Sequence, residues 1–259
     1  MGRDSKASRL AVLILTKNEE DNIVDCIRSA SFADEIVVVD SGSTDRTKEL
    51  AEGLGAKVVL HPMTEEGFAG QRNFALTQTT AEWVFYLDAD ERVIKEAVPG
   101  IQAIVKDNIP AVYQVERKNV VFGQMMHYGG HRPDYPTRLF PRTGIQWTGK
   151  VHEGVETDLV EKELKNCLIH NTYTTWAQYF EKTNHYTTLS AQSMFDRGKR
   201  VNNIGALSHG LFAFIKSYVL KQGVRDGYLG FVMSLMAAYA SLAKYLKLKN
   251  LYRLEAKEK

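Results

Sequence analysis

In the first hundred residues, apolar β-branched runs alternate with segments of helical spacing, and this alternation constrains the fold more than anything else. Leu10 to Leu15 is a continuous apolar run, the form of a strand covered on both faces. Asn22 to Ser29 carries Ile23, Cys26 and Ile27 at helical intervals. Glu35 to Val39 is a second strand-like run and ends on Asp40. Ser43 is the expected N-cap of the next helix, Asp45 suits its first turn, and Gly53 and Gly55 supply its stop. Lys57 to Leu60 predicts a third strand, Phe68 to Leu76 a helix, and Trp83 to Leu87 a fourth strand ending at Asp88. This order predicts an α/β fold with a mostly parallel central sheet and flanking helices. Ligands of such sheets bind beyond the carboxyl ends of the strands. The polar residues gather there: Thr16, Lys17, Asn18 and Glu19; Asp40, Ser41 and Gly42; Asp88, Ala89, Asp90 and Glu91.

Past this region the pattern changes. Lys95 to Asp107 predicts a helix whose start Pro99 obscures. Ala111 to Phe122 and Arg138 to Pro141 predict short strands among Gly, Pro, His and aromatic residues, the composition of an irregular, site-forming region. Thr175 to Phe195 has helical periodicity with Gly198 as its stop, and residues 205–249 predict two further helices separated near Gly223 to Gly227. The expected organisation is a catalytic domain over 1–172, with 8–95 its nucleotide-binding half and 96–172 its acceptor side, and a helical C-terminal extension over 173–259.

The formal net charge of +2 argues against a nucleic-acid partner. Two cysteines, Cys26 and Cys167, lie in no metal-binding spacing and fit a reducing, cytoplasmic setting. The polar segment from Met1 to Arg9 does not read as a secretory signal. The longest apolar stretch, Leu229 to Ala243, is shorter than the ~20 residues of a bilayer span.

Asp88-Ala89-Asp90 offers two carboxylates on the turn after a buried strand. Such a pair can divide its work between a sugar hydroxyl and a hard divalent cation that carries substrate phosphates. A solvated capping turn is the plainer alternative. Asp40 can accept hydrogen bonds from a base or ribose, and Gly42 permits close backbone approach to a ligand. Arg72, in Gly70-Gln71-Arg72-Asn73, can pair with phosphate or stack on a base.

Four segments taken in order resemble the signature of family 2 glycosyltransferases: Leu15-Thr16-Lys17-Asn18-Glu19, Val37 to Asp45, Gly70 to Asn73, and Trp83 to Asp90. The resemblance covers roughly residues 8–95. It implies the GT-A nucleotide-diphospho-sugar transferase fold, an activated donor such as a UDP-sugar, Mn²⁺ or Mg²⁺ as cofactor, and inversion at the anomeric carbon. By position, Thr16, Asn18, Glu19, Asp40, Gly42 and Arg72 would line the nucleotide-sugar site, Asp88 would approach ribose, and Asp90 would hold the metal. Tyr135 to Pro141 and Trp147 to Glu153 resemble the bacterial subgroup that adds glucose or a related sugar to lipopolysaccharide inner core. UDP-glucose is then the expected donor and a glycan or glycolipid the expected acceptor.

Inversion needs a base that takes the acceptor's proton. The Glu-Asp motif that many family members use is absent, so Glu153 is the candidate base, with His152 a candidate metal ligand and Arg138 a candidate partner of the diphosphate. In the tail, Phe212, Phe214, Tyr218, Lys216, Lys221 and Arg225 mix apolar and basic character. That mixture predicts peripheral contact with the cytoplasmic face of the inner membrane, or else packing or homo-oligomer contacts through the C-terminal helices. Competing readings are transfer to a peptide or other polysaccharide, a sugar-phosphate nucleotidyltransferase, and a non-catalytic scaffold. The nucleotidyltransferase reading lacks the glycine-rich loop it needs after strand one.

Overall fold

The computed structural model describes residues 9–149 and 153–258 and divides the chain into two compact units. The first comprises the described parts of Met1–Arg117 and Asp134–His170; the second comprises those of Lys118–Pro133 and Asn171–Lys259. The segment 118–133, grouped with the acceptor side in the sequence reading, clusters with the C-terminal helices. Two hydrogen bonds explain this. Phe122 donates its N–H to the Tyr173 carbonyl, and Asn119 takes a hydrogen bond from the Thr172 hydroxyl.

In the first unit, β1 (Leu10–Thr16) lies between β2 (Glu35–Asp40) and β4 (Trp83–Asp88), parallel to both, and β3 (Lys57–Leu60) extends the parallel run beyond β2. The sheet then turns mixed: β8 (Thr137–Pro141) is antiparallel to β4 and to β6 (Val112–Val121). β11 (Glu161–Tyr173) follows β6 in the sheet, and β5 (Glu91–Val93) pairs with it antiparallel. A small antiparallel pair, β9 (Gln146–Thr148) and β10 (Gly154–Glu156), stands apart. β7 (Gln124–Met125) closes a hairpin with β6 in the second unit.

β1 shows why its sequence is apolar without a break. Val12 and Ile14 enter one core with Ile23, Phe85 and Ile101, while Ala11, Leu13 and Leu15 enter the other with Val39, Tyr86 and Phe140. Successive side chains of a strand point to opposite faces, so a strand buried on both has no room for a polar residue. The helices α1 (Ile23–Ser29), α2 (Thr47–Gly53), α3 (Gly67–Thr77) and α4 (Val98–Asp107) close these faces; a 3₁₀ turn, Lys95–Ala97, precedes α4, and Pro99 occupies its first turn. Cys26 and Cys167 are free and buried.

Two expectations need correction. Ser43 does not cap α2; the helix begins at Thr47, and the Asp45 carboxylate accepts the Thr47 N–H. Ser43 instead turns its hydroxyl onto Asp40. β11 was missed because its first half, Glu161 to Asn166, is charged and reads as loop.

The second unit contains α5 (Trp176–Asp196), α6 (Asn203–Ile215), a π turn (Lys216–Leu220), a 3₁₀ turn (Gly223–Asp226) and α7 (Gly227–Glu258). Thr175 caps α5 by accepting the Gln178 N–H, and Gly198, at φ +68°, lets the chain leave it. The run Leu229 to Ala243 belongs to a longer helical segment, Gly223–Lys257, which is long and apolar enough to cross a membrane by length and composition alone. Only 22% of its most apolar window is buried within the protein.

Leu13 is fully buried in the central strand. Leu13→Ala should cost about 2–5 kcal/mol of stability, read from the urea unfolding midpoint followed by tryptophan fluorescence.

Candidate active site

The register of the parallel strands assembles the site. Thr16 stands opposite Asp40 and Leu15 opposite Asp88, so the carboxyl ends of β1, β2 and β4 finish at one level. The loops that follow β1 and β2 are then tied together. Asn18, at φ +53°, donates its N–H to the Ser43 hydroxyl and accepts the Thr44 N–H on its side chain. Glu19 donates its N–H to the Thr47 hydroxyl, and its carboxylate accepts from the Asn22 amide.

Asp40 is fully buried and serves its own turn. One carboxylate oxygen accepts the N–H groups of Gly42 and Ser43, at 2.9 and 2.8 Å, and the other accepts the Ser43 hydroxyl. Gly42 takes φ +94°, a conformation that side chains disfavour. Thr16, by contrast, has a buried hydroxyl with no hydrogen-bond partner among the described residues. Buried polar atoms rarely go unpaired, so this hydroxyl is a ready contact for a ligand.

Gly70 to Asn73 lies in α3, and each polar side chain of the run has a task. Gln71 donates to the His61 carbonyl. Asn73 exchanges two 2.9 Å hydrogen bonds with the backbone of Trp147, which pins β9 to α3. Trp147 thereby sits on the Arg72 guanidinium, 4.9 Å from carbon to ring centre, with Tyr86 at 5.4 Å. Arg72 is 4% exposed; its Nη2 donates to Asp88 at 3.1 Å and lies 3.6 Å from Glu153. Its Nε and Nη1 have no partner among the described residues.

Asp88 is held from its second oxygen as well, by Arg138 at 2.5 Å. Arg138 also reaches Glu91 at 2.7 Å, Glu91 takes Arg117 at 2.7 Å, and Arg117 pairs with Asp134 at 2.8 Å. Glu91 further accepts the Asp88 N–H, which closes the turn between β4 and β5. Arg92 braces the same turn through the carbonyls of Ala89 and Glu91. Burial by itself would raise the Asp88 carboxyl, but Arg138, then Arg72 and Arg117, outweigh it and hold the group far below the ordinary carboxylate range. Burial likewise works to lower Arg138, and Asp88 and Glu91 override it, so the guanidinium stays charged. Arg138, 3% exposed, supports Asp88 and Glu91, and its Nε has no partner among the described residues.

Asp90, beyond this network, faces His170 of β11 at 3.3 Å. The pairing of β5 with β11, which sets Glu91 opposite His170, puts the histidine there. His152 lies outside the described residues. Among the described residues no group of three or more His, Cys, Asp and Glu could hold a metal ion. Mg²⁺ in nucleotide sites needs only one or two protein carboxylates beside the substrate phosphates, so Asp90 is a chemically suitable donor, with His170 beside it.

Thr16, Asn18, Glu19, Asp40 and Gly42 thus form one pair of linked loops, and Arg72, Asp88, Arg138 and Glu153 one electrostatic chain. Sequence reasoning missed the parts played by Glu91, Arg117, Asp134 and His170. Glu91 was visible in the polar cluster after strand four. The others sit in strands or loops where a lone charge normally faces water, so no local signal set them apart.

Comparison with known proteins bears on this arrangement. A family model described as glycosyl transferase family 2 matches residues 11–158. An uncharacterized glycosyltransferase of Rickettsia bellii is 30% identical over 260 residues, covering 94% of this chain and 87% of that protein. The lipopolysaccharide core biosynthesis glycosyltransferase LpsC of Rhizobium meliloti is 29% identical over 259 residues, covering 96% and 94%. The crystal structure of S. aureus TarS 1–349 in complex with UDP-GlcNAc aligns over 95% of this chain and 92% of that one at 16% identity and TM-score 0.49, too loose a superposition to place a donor here.

Two outcomes follow from the charge network. Glu91→Gln removes a buried carboxylate shared by Arg117 and Arg138, leaving Asp134 and Asp88 as their carboxylates, and should destabilise the protein by about 3–5 kcal/mol in equilibrium unfolding. Because folding depresses the Asp88 pKa, its contribution is complete above the unfolded value of ~3.9 and is lost as pH falls below it. Urea midpoints at pH 7, 5 and 3 should therefore fall less steeply in Asp88→Asn than in the wild type.

Proposed function

Because the chain belongs to glycosyl transferase family 2, we propose that it moves a sugar from a nucleoside diphosphate donor, a UDP-sugar such as UDP-glucose, to a saccharide hydroxyl with inversion. The acceptor is a lipopolysaccharide inner core or another lipid-linked glycan, a choice supported by similarity to LpsC over nearly the whole chain. The observation that carries the reading is the common rim: an unpaired Thr16 hydroxyl, the Asp40 turn and the Asp88-Ala89-Asp90 turn at the in-register ends of three parallel strands.

In this mechanism the base and ribose of the donor bind against Thr16, Asn18, Glu19, Asp40 and Gly42. Asp40 retains one free acceptor position, because three donors occupy its carboxylate. Asp88, fixed as an anion, accepts a ribose hydroxyl, and Arg138 positions it. Arg72 keeps two unused N–H donors for the departing diphosphate. A divalent cation, Mn²⁺ or Mg²⁺, when bound supplies neutralisation of the charge that grows on that diphosphate. Asp90 and His170, with His152 as a further candidate, would hold it. Glu153 takes the acceptor's proton as the hydroxyl attacks the anomeric carbon opposite the leaving group, and its ion pair with Arg72 holds the carboxylate in place. A lipid-linked acceptor calls for work at a membrane surface, so the reading includes peripheral contact with the cytoplasmic face of the inner membrane.

A panel of nucleotide sugars, assayed for hydrolysis and for transfer to glycolipid, peptide and polysaccharide acceptors, tests it. The expected result is turnover of a UDP-sugar that EDTA abolishes and Mn²⁺ or Mg²⁺ restores. Asp90→Asn should remove activity at unchanged thermal stability, and Glu153→Gln should lower kcat by roughly 10²–10⁴-fold. Full activity in Asp90→Asn would sink the metal role, and transfer to peptide alone would replace the glycan acceptor.

A further inference from the structure

We propose that α6, the π and 3₁₀ turns after it, and the first half of α7 form a docking surface that enters one leaflet of an anionic lipid bilayer without crossing it. The inference specifies the membrane contact in the proposed function and rests on that reading for its purpose.

The charge pattern is the first observation. From Arg197 to Leu254 the chain carries ten Lys and Arg residues and one acid, Asp226. That acid is buried and accepts the N–H groups of His127 and Tyr128, so it presents little to solvent. A stretch so short of exposed acids complements an anionic surface, and each basic residue near such a membrane strengthens binding roughly fivefold.

The second observation is the distribution of exposed apolar side chains. Ile204, Leu207, Leu211 and Ile215 recur at helical spacing along α6, and the first three are 78%, 62% and 62% exposed. The line continues at Val219, Leu220 and Val224 through the two turns. On α7 it resumes at Tyr228, which is 84% exposed, then Phe231 and Leu235. Phe214, Tyr218 and Phe231 stack against one another at 5.3–6.0 Å, so the two helices join in one apolar surface. Patches of this extent mark interaction sites.

A single span by α7 fits the packing less well. Its inner face is used within the unit: Met233 packs with Val121 and Tyr179, and Tyr245 and Leu248 pack with Ala191 and Ala206. Ser234 is buried, donates to the Gly230 carbonyl and shares a hydrogen bond with the Ser217 hydroxyl. The uncharged run, Gly227 to Ala243, is 17 residues long, short of the ~20 that a span needs, and Lys244, Lys247 and Lys249 follow it directly. Helices that are apolar on one side and basic at their margins lie in the interface plane.

The test uses the full chain with phosphatidylcholine vesicles, with and without phosphatidylglycerol. Cosedimentation should occur with the anionic vesicles, weaken with salt, and be reversed by alkaline carbonate. Lys216→Ala with Lys221→Ala should weaken it about twenty-five-fold, and Leu207→Glu with Leu211→Glu should abolish it at unchanged helicity. Leu211→Cys carrying an environment-sensitive dye should shift to the blue on binding, the native thiols being buried. Equal binding to neutral vesicles, resistance to carbonate, or a dimer in light scattering that Leu207→Glu with Leu211→Glu dissolves, would each overturn the inference. UDP-sugar hydrolysis is measured in parallel: turnover without vesicle binding sinks this proposal alone, and binding without turnover sinks the catalytic reading alone.

Discussion

Asp88 lies between two buried guanidinium groups, and from that contact runs a line of alternating charge: Glu153, Arg72, Asp88, Arg138, Glu91, Arg117, Asp134. Charges removed from water are expensive unless each finds an opposite partner, and such pairs give little net stability once that cost is met. What they give here is position. The line takes members from α3, β5, β6, β8 and the loops between them, so it ties those elements to the turn that presents Asp90. Both oxygens of Asp88 are engaged, and Asp90 on the same turn faces His170.

The rest of the rim follows a different rule. The loops after β1 and β2 carry Lys17, Glu19, Glu20, Asp21, Asp45 and Arg46, yet they are organised largely by backbone N–H groups closing on carboxylates and short polar side chains. Asp40 is the centre of that arrangement, and Gly42 makes it possible by taking a backbone angle unsuited to other residues. Loops organised by backbone N–H groups thus adjoin strand ends organised by buried ion pairs.

Much of the fold was legible because the parallel strands are buried on both faces, and burial on both faces leaves an uninterrupted apolar signature in the sequence. The antiparallel half was less legible. β11 opens with charged residues because its first half is mostly exposed, so its pattern resembled a loop. Ser43 looked like a helix cap, but the Asp40 carboxylate nearby was the stronger acceptor for its hydroxyl. The burial of Arg138 was not legible either, since a strand residue's exposure depends on what packs over it.

The sequence alone determined the parallel strands, the acids at their ends and the family to which the chain belongs, because each is written in local periodicity and short motifs. Tertiary structure decided which partners each acid takes. That choice rests on long-range pairs such as Arg138 with Asp88 and His170 with Asp90, fifty and eighty residues apart along the chain. Charges so distant share no local pattern; the sheet brings them together, and electrostatics at close range then assigns their partners.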